Sequence, residues 1–332
     1  MKEHANPGCD RREFLKQAAG LMPLLLGVDA LAAVPFPTRT VTIVCPYQAG
    51  GLTDVSCRRL AERLSVIWGE SVIVDNRPGA GGNLGAGMVA RATPDGYMML
   101  ITSYEALIIS SAAKLNLGFD PVGDLAPVAL IGDVELWFLA SAKAPYNNMR
   151  EFLDYASKNP GKINMGSIGI GSAHHLGLVQ INALTGAAVE HVPYKGVSML
   201  QDLVAGNIDV VFSSRLSTAG QVKEGKLKIL GVVGNRRSTL YPDVPTFAES
   251  GLSGVVVPYA LGAFVSAKVP ADVVSKLNED IRKALQEPAV KDKFASEGVV
   301  VGALTPVEFN ARVRKEVGVI EQVIAKNNLK LE

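Results

Sequence analysis

The chain has 332 residues, 33 lysines and arginines against 32 aspartates and glutamates, and a formal net charge of +1; 48% of it is hydrophobic but only 6% aromatic. So even a balance excludes the basic footprint of a nucleic-acid binder or of a protein held on an anionic membrane. The length suits two domains, and an excess of Val, Ala, Leu and Gly over aromatics suits an α/β interior.

The N-terminus reads as an address. Residues 9–16, "CDRREFLK", set Arg11 and Arg12 before Phe14, Leu15 and Lys16. The apolar stretch that follows, "QAAGLMPLLLGV", is interrupted by glycine and Pro23 and is too short to span a bilayer. Ala30-Leu31-Ala32 then offers an A-x-A-like cleavage site. Residues 1–33 therefore read as a cleaved twin-arginine-type signal peptide, with a membrane anchor as the competing reading. The mature chain is expected in a bacterial periplasm, starting near Ala33 or Val34. Cleavage removes four basic and four acidic residues and leaves the charge unchanged. Two cysteines remain, Cys45 and Cys57, without a CxxC motif, so neither a zinc ribbon nor a thioredoxin-like centre is expected. An oxidising compartment permits a bridge between them, but two buried free thiols are the favoured reading.

From residue 40 onward strands and helices alternate. β-Branched runs predict strands at 40–45, 71–75, 97–102, 127–132, 135–141, 163–167, 209–213, 228–233 and 255–265. Periodic apolar stripes predict helices at 55–67, 149–158, 172–185, 197–206, 271–286 and 305–327. "TPDG" at 93–96 is a turn, because Pro94 presets φ and Gly96 accepts a positive one. The alternation predicts an α/β fold of mostly parallel sheets flanked by helices. "VELWFLAS" (134–141) and "VVVPYALGAFVS" (255–266) read as crossover strands between two lobes. Domain 1 is then discontinuous, 34–136 plus 258–332, and domain 2 is 137–257. A ligand would bind in the cleft between the lobes, which close on a hinge.

Four strand ends carry loops suited to close backbone approach: "PYQAGGLTD" (46–54), "RPGAGGNLGAG" (77–87), "TSYE" (102–105) and "MGSIGIGSAHHLG" (165–177). Each leads towards a helix whose first amides lack partners and whose dipole places about +0.5 charge there, a setting that favours an anion. Plain turn chemistry explains any one such loop, though less readily all four. A dinucleotide fingerprint is also present: Gly85-Ala86-Gly87-Met88-Val89-Ala90 fits G-x-G-x-x-A, and Glu105 follows twenty residues after Gly85. It stands too far behind its strand for the usual phosphate turn. Adjacent His174 and His175 diverge on a helix and cannot form an i, i+4 metal pair. No HExxH, GxSxG or Walker motif occurs, and a Ser172–His175 nucleophile pair lacks an evident orienting acid.

Taken in order, "PYQAGGLTD", "VDNRPGAGGNLGA", "ATPDGYMML", "GIGSAHHL", "HVPYKG", "DLVAGNIDVVF" and "GKLKILGVVGNRRSTLYPDVPTFAESGL" resemble the substrate-binding proteins of tripartite tricarboxylate transporters, the Bug family, from about residue 39 to the C-terminus. The resemblance implies a type II periplasmic-binding-protein architecture and a non-enzymatic role without cofactor or metal. It implies a small carboxylate (a di- or tricarboxylate, an acidic amino acid or an aromatic acid) gripped by loop amides and hydroxyls, and delivery by a monomer to membrane permease subunits. Presentation of the ligand to a sensor kinase is the rival role within this class. An exported nicotinamide or flavin oxidoreductase is the rival outside it. Carried over by position, the grip falls on Tyr47, Gly50, Gly51 and Asp54, on Thr102 and Ser103, and on Ser167, Gly169, Gly171, Ser172 and His175. Ser213 completes the second lobe's wall.

This chain also departs from the family pattern. Val197-Ser198-Met199 follows "YKG" where proline is frequent, and Ala260 stands where an aromatic residue is common, which would leave more room in the cleft. Arg215 is a candidate partner for a second carboxylate or an aromatic ring, against a solvated surface arginine. Glu105 either meets a ligand amine or faces solvent.

Overall fold

The computed structural model describes residues 1–2, 36–170, 172–194 and 198–329. Apart from its first two residues, the expected export signal lies outside them. Contacts divide the chain into two compact units, 1–36 and 37–332, and the second contains every element named below.

The first stretch of that unit runs β1 (Val41–Cys45), α1 (Leu52–Trp68), β2 (Val72–Asn76), α2 (Asn83–Ala90), β3 (Met98–Ser103), α3 (Glu105–Ala112) and β4 (Leu125–Val134). Next come β5 (Leu136–Ser141), α4 (Met149–Lys158), β6 (Asn164–Ser167), α5 (Ala173–Thr185), β7 (Glu190–Pro193), α6 (Met199–Ala205), β8 (Val210–Ser214), α7 (Arg215–Lys223) and β9 (Leu227–Val232). The chain closes with β10 (Ala260–Ser266), α8 (Ala271–Gln286), α9 (Pro288–Ser296), β11 (Val299–Val301) and α10 (Pro306–Lys326). Local chemistry sets several boundaries. Gly69 ends α1 in the left-handed region at φ 69°, with its amide on Ser65. Thr305 and Glu308 form a reciprocal capping box that starts α10, with Pro306 in its first turn.

The strands form two sheets, one of six in the order β11-β4-β10-β3-β1-β2 and one of five in the order β7-β6-β8-β5-β9. Both are mixed, which corrects the expectation of mostly parallel sheets. Strands joined through a helix run parallel, as β1 does with β2 and β3, and β6 with β7 and β8. Strands at the passage between sheets run antiparallel: β5 against β8 and β9, and β10 against β3 and β4. Only Glu135 separates β4 in the larger sheet from β5 in the smaller, so no crossover helix intervenes there to restore a parallel direction.

The two-residue period of β5 divides its side chains between two cores. Leu136, Phe138 and Ala140 join a large apolar cluster that also holds Val44, Leu100 and Tyr104 of the larger sheet's side. Trp137 and Leu139 join a second cluster with Val211, Met199 and Leu203. Continuity of the first cluster across both sheets fixes where the lobes meet. Phe138, 1% exposed, packs against Phe152, Phe212 and Phe247, and truncating such a ring typically costs about 3–5 kcal/mol.

The expected strand over 255–265 begins only at Ala260. Pro258 has no amide to donate, and Val256 is held instead by a side chain. Its amide donates to Gln180 Oε1 at 2.9 Å, and its carbonyl accepts from Gln180 Nε2 at 2.9 Å. Among the described residues no helix is long and apolar enough to cross a membrane.

Candidate functional site

The loop leaving β1 is built around a buried carboxylate. Gly50 adopts φ +90°, a left-handed conformation that favours glycine, and Gly51 is the extended N-cap of α1 without a side-chain cap bond. One turn into the helix, Asp54 is 3% exposed. It accepts from the Gly50 amide at 2.9 Å, from Asn76 Nδ2 at 2.9 Å and from Arg58 Nε at 3.1 Å. Burial alone would raise its carboxyl. The bonds from Arg58, Gly50 and Asn76 outweigh burial and hold it below the ordinary value. Asp54 is therefore an ionised brace for the loop; its donors all come from the chain, and it does not add to the grip on an anion.

Tyr47 reaches from the same loop to the end of β3. Its hydroxyl accepts from Ser103 Oγ at 2.9 Å and lies 3.4 Å from Thr102 Oγ1, while donating to the Ser103 carbonyl at 3.2 Å. Burial pushes the phenol well above its ordinary value, so the hydroxyl keeps its proton. Thr102 and Ser103 are 2% and 3% exposed. Gly82, in the second glycine-rich loop, approaches this tyrosine so closely that a Cβ there would lie 3.1 Å from the phenol oxygen. Gly85 and Gly87 of the dinucleotide-like fingerprint lie inside α2. A Cβ on Gly85 would meet Pro46 at 2.9 Å, so packing of α2 against the first loop accounts for that glycine.

The loop leaving β6 is held by hydroxyls. The Gly169 carbonyl accepts from Ser167 Oγ at 3.1 Å and from Ser172 Oγ at 2.7 Å, and Gly169 turns at φ +127°. Ser172 caps α5 by accepting from the His175 amide at 3.3 Å. The His175 ring stacks on His191 of β7, with centroids 4.2 Å apart and planes at 16°. His191 Nε2 sits 2.6 Å from Ser167 Oγ. Burial lowers both imidazoles, His191 to about 4 with help from its neighbour, so the stack is uncharged at neutral pH. Gly171 lies outside the described residues.

Two further expected site residues, Ser213 and Arg215, are both buried. Ser213 is 6% exposed on β8, opposite Trp137 in the register. Arg215 is buried, not a solvated surface arginine, and its Nε has no partner among the described residues. It is 8% exposed, its Nη1 bonds Thr239 Oγ1 at 3.2 Å, and it pairs with Glu135 at 3.7 Å. Glu135 also accepts from Trp137 Nε1 at 2.6 Å, so Arg215 clamps the link between the sheets. Ala260 is buried on β10, its carbonyl accepting from the Tyr104 amide at 3.1 Å. Cys45 and Cys57 are free, buried thiols.

The remaining residues form one set per lobe, and Tyr259 joins the sets. Its ring centroid lies 6.4 Å from that of His174 on α5, and its phenol, raised first by burial, lies within electrostatic reach of Glu105 and Tyr47. Helix α3 touches α5 at this meeting. Neither Tyr259 nor the bracing Asn76 stood out in the sequence. Two cavities, about 230 and 380 Å³, lie apart from these loops, between α10 and the segment 254–258. Val319, Val323 and Leu184 are typical of their linings, which lack the clustered hydroxyls and helix starts that an anion needs.

Two α/β lobes, with strand-to-helix loops of both meeting at one place, define a type II periplasmic solute-binding-protein fold. Residues 56–329 match the tripartite tricarboxylate transporter family receptor, TctC, and the chain belongs to that family. It is similar to the solved periplasmic binding protein BugD, with 32% identity, 89% of this chain and 99% of that one covered, and a TM-score of 0.79. It is also similar to Rpa4515 of R. palustris, solved with adipate, at 28% identity, 88% and 98% coverage and a TM-score of 0.82. MatC from Rhodopseudomonas palustris, solved with bound malate, matches at 30% identity, 87% and 100% coverage and a TM-score of 0.79.

Proposed function

We propose that this protein captures a small organic carboxylate in the periplasm, between its two lobes, and delivers it to the membrane permease of a tripartite tricarboxylate-type transporter. The observation that carries this reading is the link through Tyr259 between Glu105 at the start of α3, Tyr47 with its partners Thr102 and Ser103, and His174 at the start of α5. The arginines of α1 and α7 beside these loops, Arg58 and Arg215, are engaged by Asp54 and Glu135. Neutral donors therefore carry the grip. Adipate and malate bound to two similar proteins support this ligand class.

The magnitudes require several loops. Micromolar affinity corresponds to about 8 kcal/mol, whereas one helix terminus contributes roughly 0.3–2 kcal/mol. Closure of the lobes 34–136 plus 258–332 and 137–257 about the ligand excludes water and strengthens each charge–amide contact. The closed form is the one that docks on the permease. The N-terminal 33 residues act as the export signal, by the twin-arginine route. A thermal-shift screen of small carboxylates on the mature protein tests the reading, since a ligand at 100 times its Kd adds about 2.7 kcal/mol of stability. A flat response across di-, tricarboxylate, amino-acid and aromatic-acid probes would refute it.

A further inference from the structure

Glu105 opens α3 where the lobes meet. It is 4% exposed, and its Oε2 has no hydrogen-bond partner among the described residues. A glutamate in the first turn commonly serves the helix dipole or caps an amide; here the carboxyl meets its own amide and the Ser103 hydroxyl, and Oε2 is left over. The contrast with Asp54, held by three donors from the chain, is direct.

Among the described residues the groups that act on Glu105 are donors without positive charge; α10, which packs on α3, brings Arg312 and Glu316 to Tyr104, where Glu316 and Asp133 hold the arginine. Ser103 lies beside it on β3, and Tyr47 and Tyr259 bring phenols from the loop after β1 and from the segment before β10. Burial first, then the charge of Glu105, raises both phenols, so they stay neutral. Across the meeting point is His174, 4% exposed, with neither ring nitrogen partnered among the described residues. Burial lowers it to about 4, so it too is neutral. For Glu105, burial prevails over its own amide and the Ser103 hydroxyl and pushes the carboxyl up to about 7. Among the described residues the site thus holds several donors for a carboxylate and one acid that no cation faces.

Resting on the carboxylate reading above, we infer that Glu105 is a specificity-determining acceptor for a ligand ammonium, so that the protein favours amino-carboxylates over acids of the same length that lack the amine. An ammonium close to the bound carboxylate supplies the missing cation and draws Glu105 into its ionised form. A plain dicarboxylate brings further negative charge and must leave Glu105 protonated. Charge-assisted bonds to a buried group have the strength to set such a preference.

The test uses matched probes, aspartate against succinate and glutamate against glutarate, titrated calorimetrically into the mature protein at pH values below and above the Glu105 value of about 7. Above it, the amino member of at least one pair binds about tenfold tighter or more, and below it the preference shrinks as Glu105 takes up its proton. In E105Q the two members bind within about threefold of each other. Equal binding of both members by the unaltered protein, or a preference for the plain acid that grows at low pH, overturns the inference and leaves the carboxylate reading standing. Failure of every carboxylate to bind removes both. The pH series on the unaltered protein needs no variant, so misfolding of E105Q cannot mask the answer.

Discussion

The loop leaving β1 and the loop leaving β6 occupy matching places, one per lobe, and different chemistry holds each. In the first an ionised, buried carboxylate gathers Gly50, Asn76 and Arg58, and the starts of α1 and α3 have no side-chain caps. In the second, two serine hydroxyls converge on one carbonyl, a serine caps α5, and two neutral imidazoles stack behind it. A charged brace fixes its loop without using the helix amides, so those amides are left for an incoming anion. A capping serine consumes one amide of its own helix. On the function proposed above, the first lobe is the main anion cradle and the second the neutral surface that closes over it.

The largest expected difference comes from removing the charged brace. Asp54→Ala leaves the Gly50 amide and Asn76 without their shared acceptor and should destabilise the protein by about 2–4 kcal/mol. Urea unfolding checks the stability, and the same variant should lose carboxylate binding because Gly50 and Gly51 no longer hold their conformations. A variant that unfolds normally and binds normally would show that the brace is dispensable and the comparison misplaced.

Acidity separates the two lobes with opposite signs. Glu105 has a folded value of about 7 against an ordinary 4.5. Its contribution is complete below 4.5 and is lost as pH rises through about 7. His174 is lowered from 6.5 to about 4, so its contribution is present above 6.5 and is lost as pH falls through about 4. Each shift corresponds to roughly 3 kcal/mol between its limits. The two slopes oppose each other across the window from 4.5 to 6.5, so neither group's titration is visible alone. His191, also lowered to about 4, adds a slope of the same sign as His174, so E105Q should gain stability with rising pH more steeply than the unaltered protein, whereas His174→Gln should gain it less steeply. Denaturant midpoints collected across the window check both slopes, and slopes displaced in the same direction in the two variants would contradict the assignment.

Much of this architecture was legible in the sequence because it is local. Strand-helix alternation and the glycine-rich strand ends each depend on neighbours within a few positions. What escaped the sequence depends on distant partners. Arg215 looked available because Glu135, which clamps it, lies far back in the chain at the link between sheets. Tyr259 carries no motif, and it matters only because Glu105 and His174 arrive beside it from two other elements. Helix α7, "RLSTAGQVK", buries only Arg215 and Thr218, so it offers little apolar periodicity to read. The second glycine loop was legible as a glycine loop, but its main reason is close packing on Pro46 and Tyr47.

The smallest expected effect tests the second loop. Ser172→Ala removes the acceptor for the His175 amide and one of the two hydroxyl bonds to Gly169. Loss of such a cap costs about 1 kcal/mol, well under the penalty at Asp54. Ser167 still donates to Gly169 and still meets His191, so the loop should keep its turn and the imidazoles their stack. The His175 amide, once released, becomes one more donor at the start of α5. Carboxylate affinity should therefore fall by no more than a few-fold once the stability loss is allowed for, as titration at saturating folded protein would register. A loss of binding as complete as that of Asp54→Ala would place the main anion cradle in the second lobe and reverse the comparison.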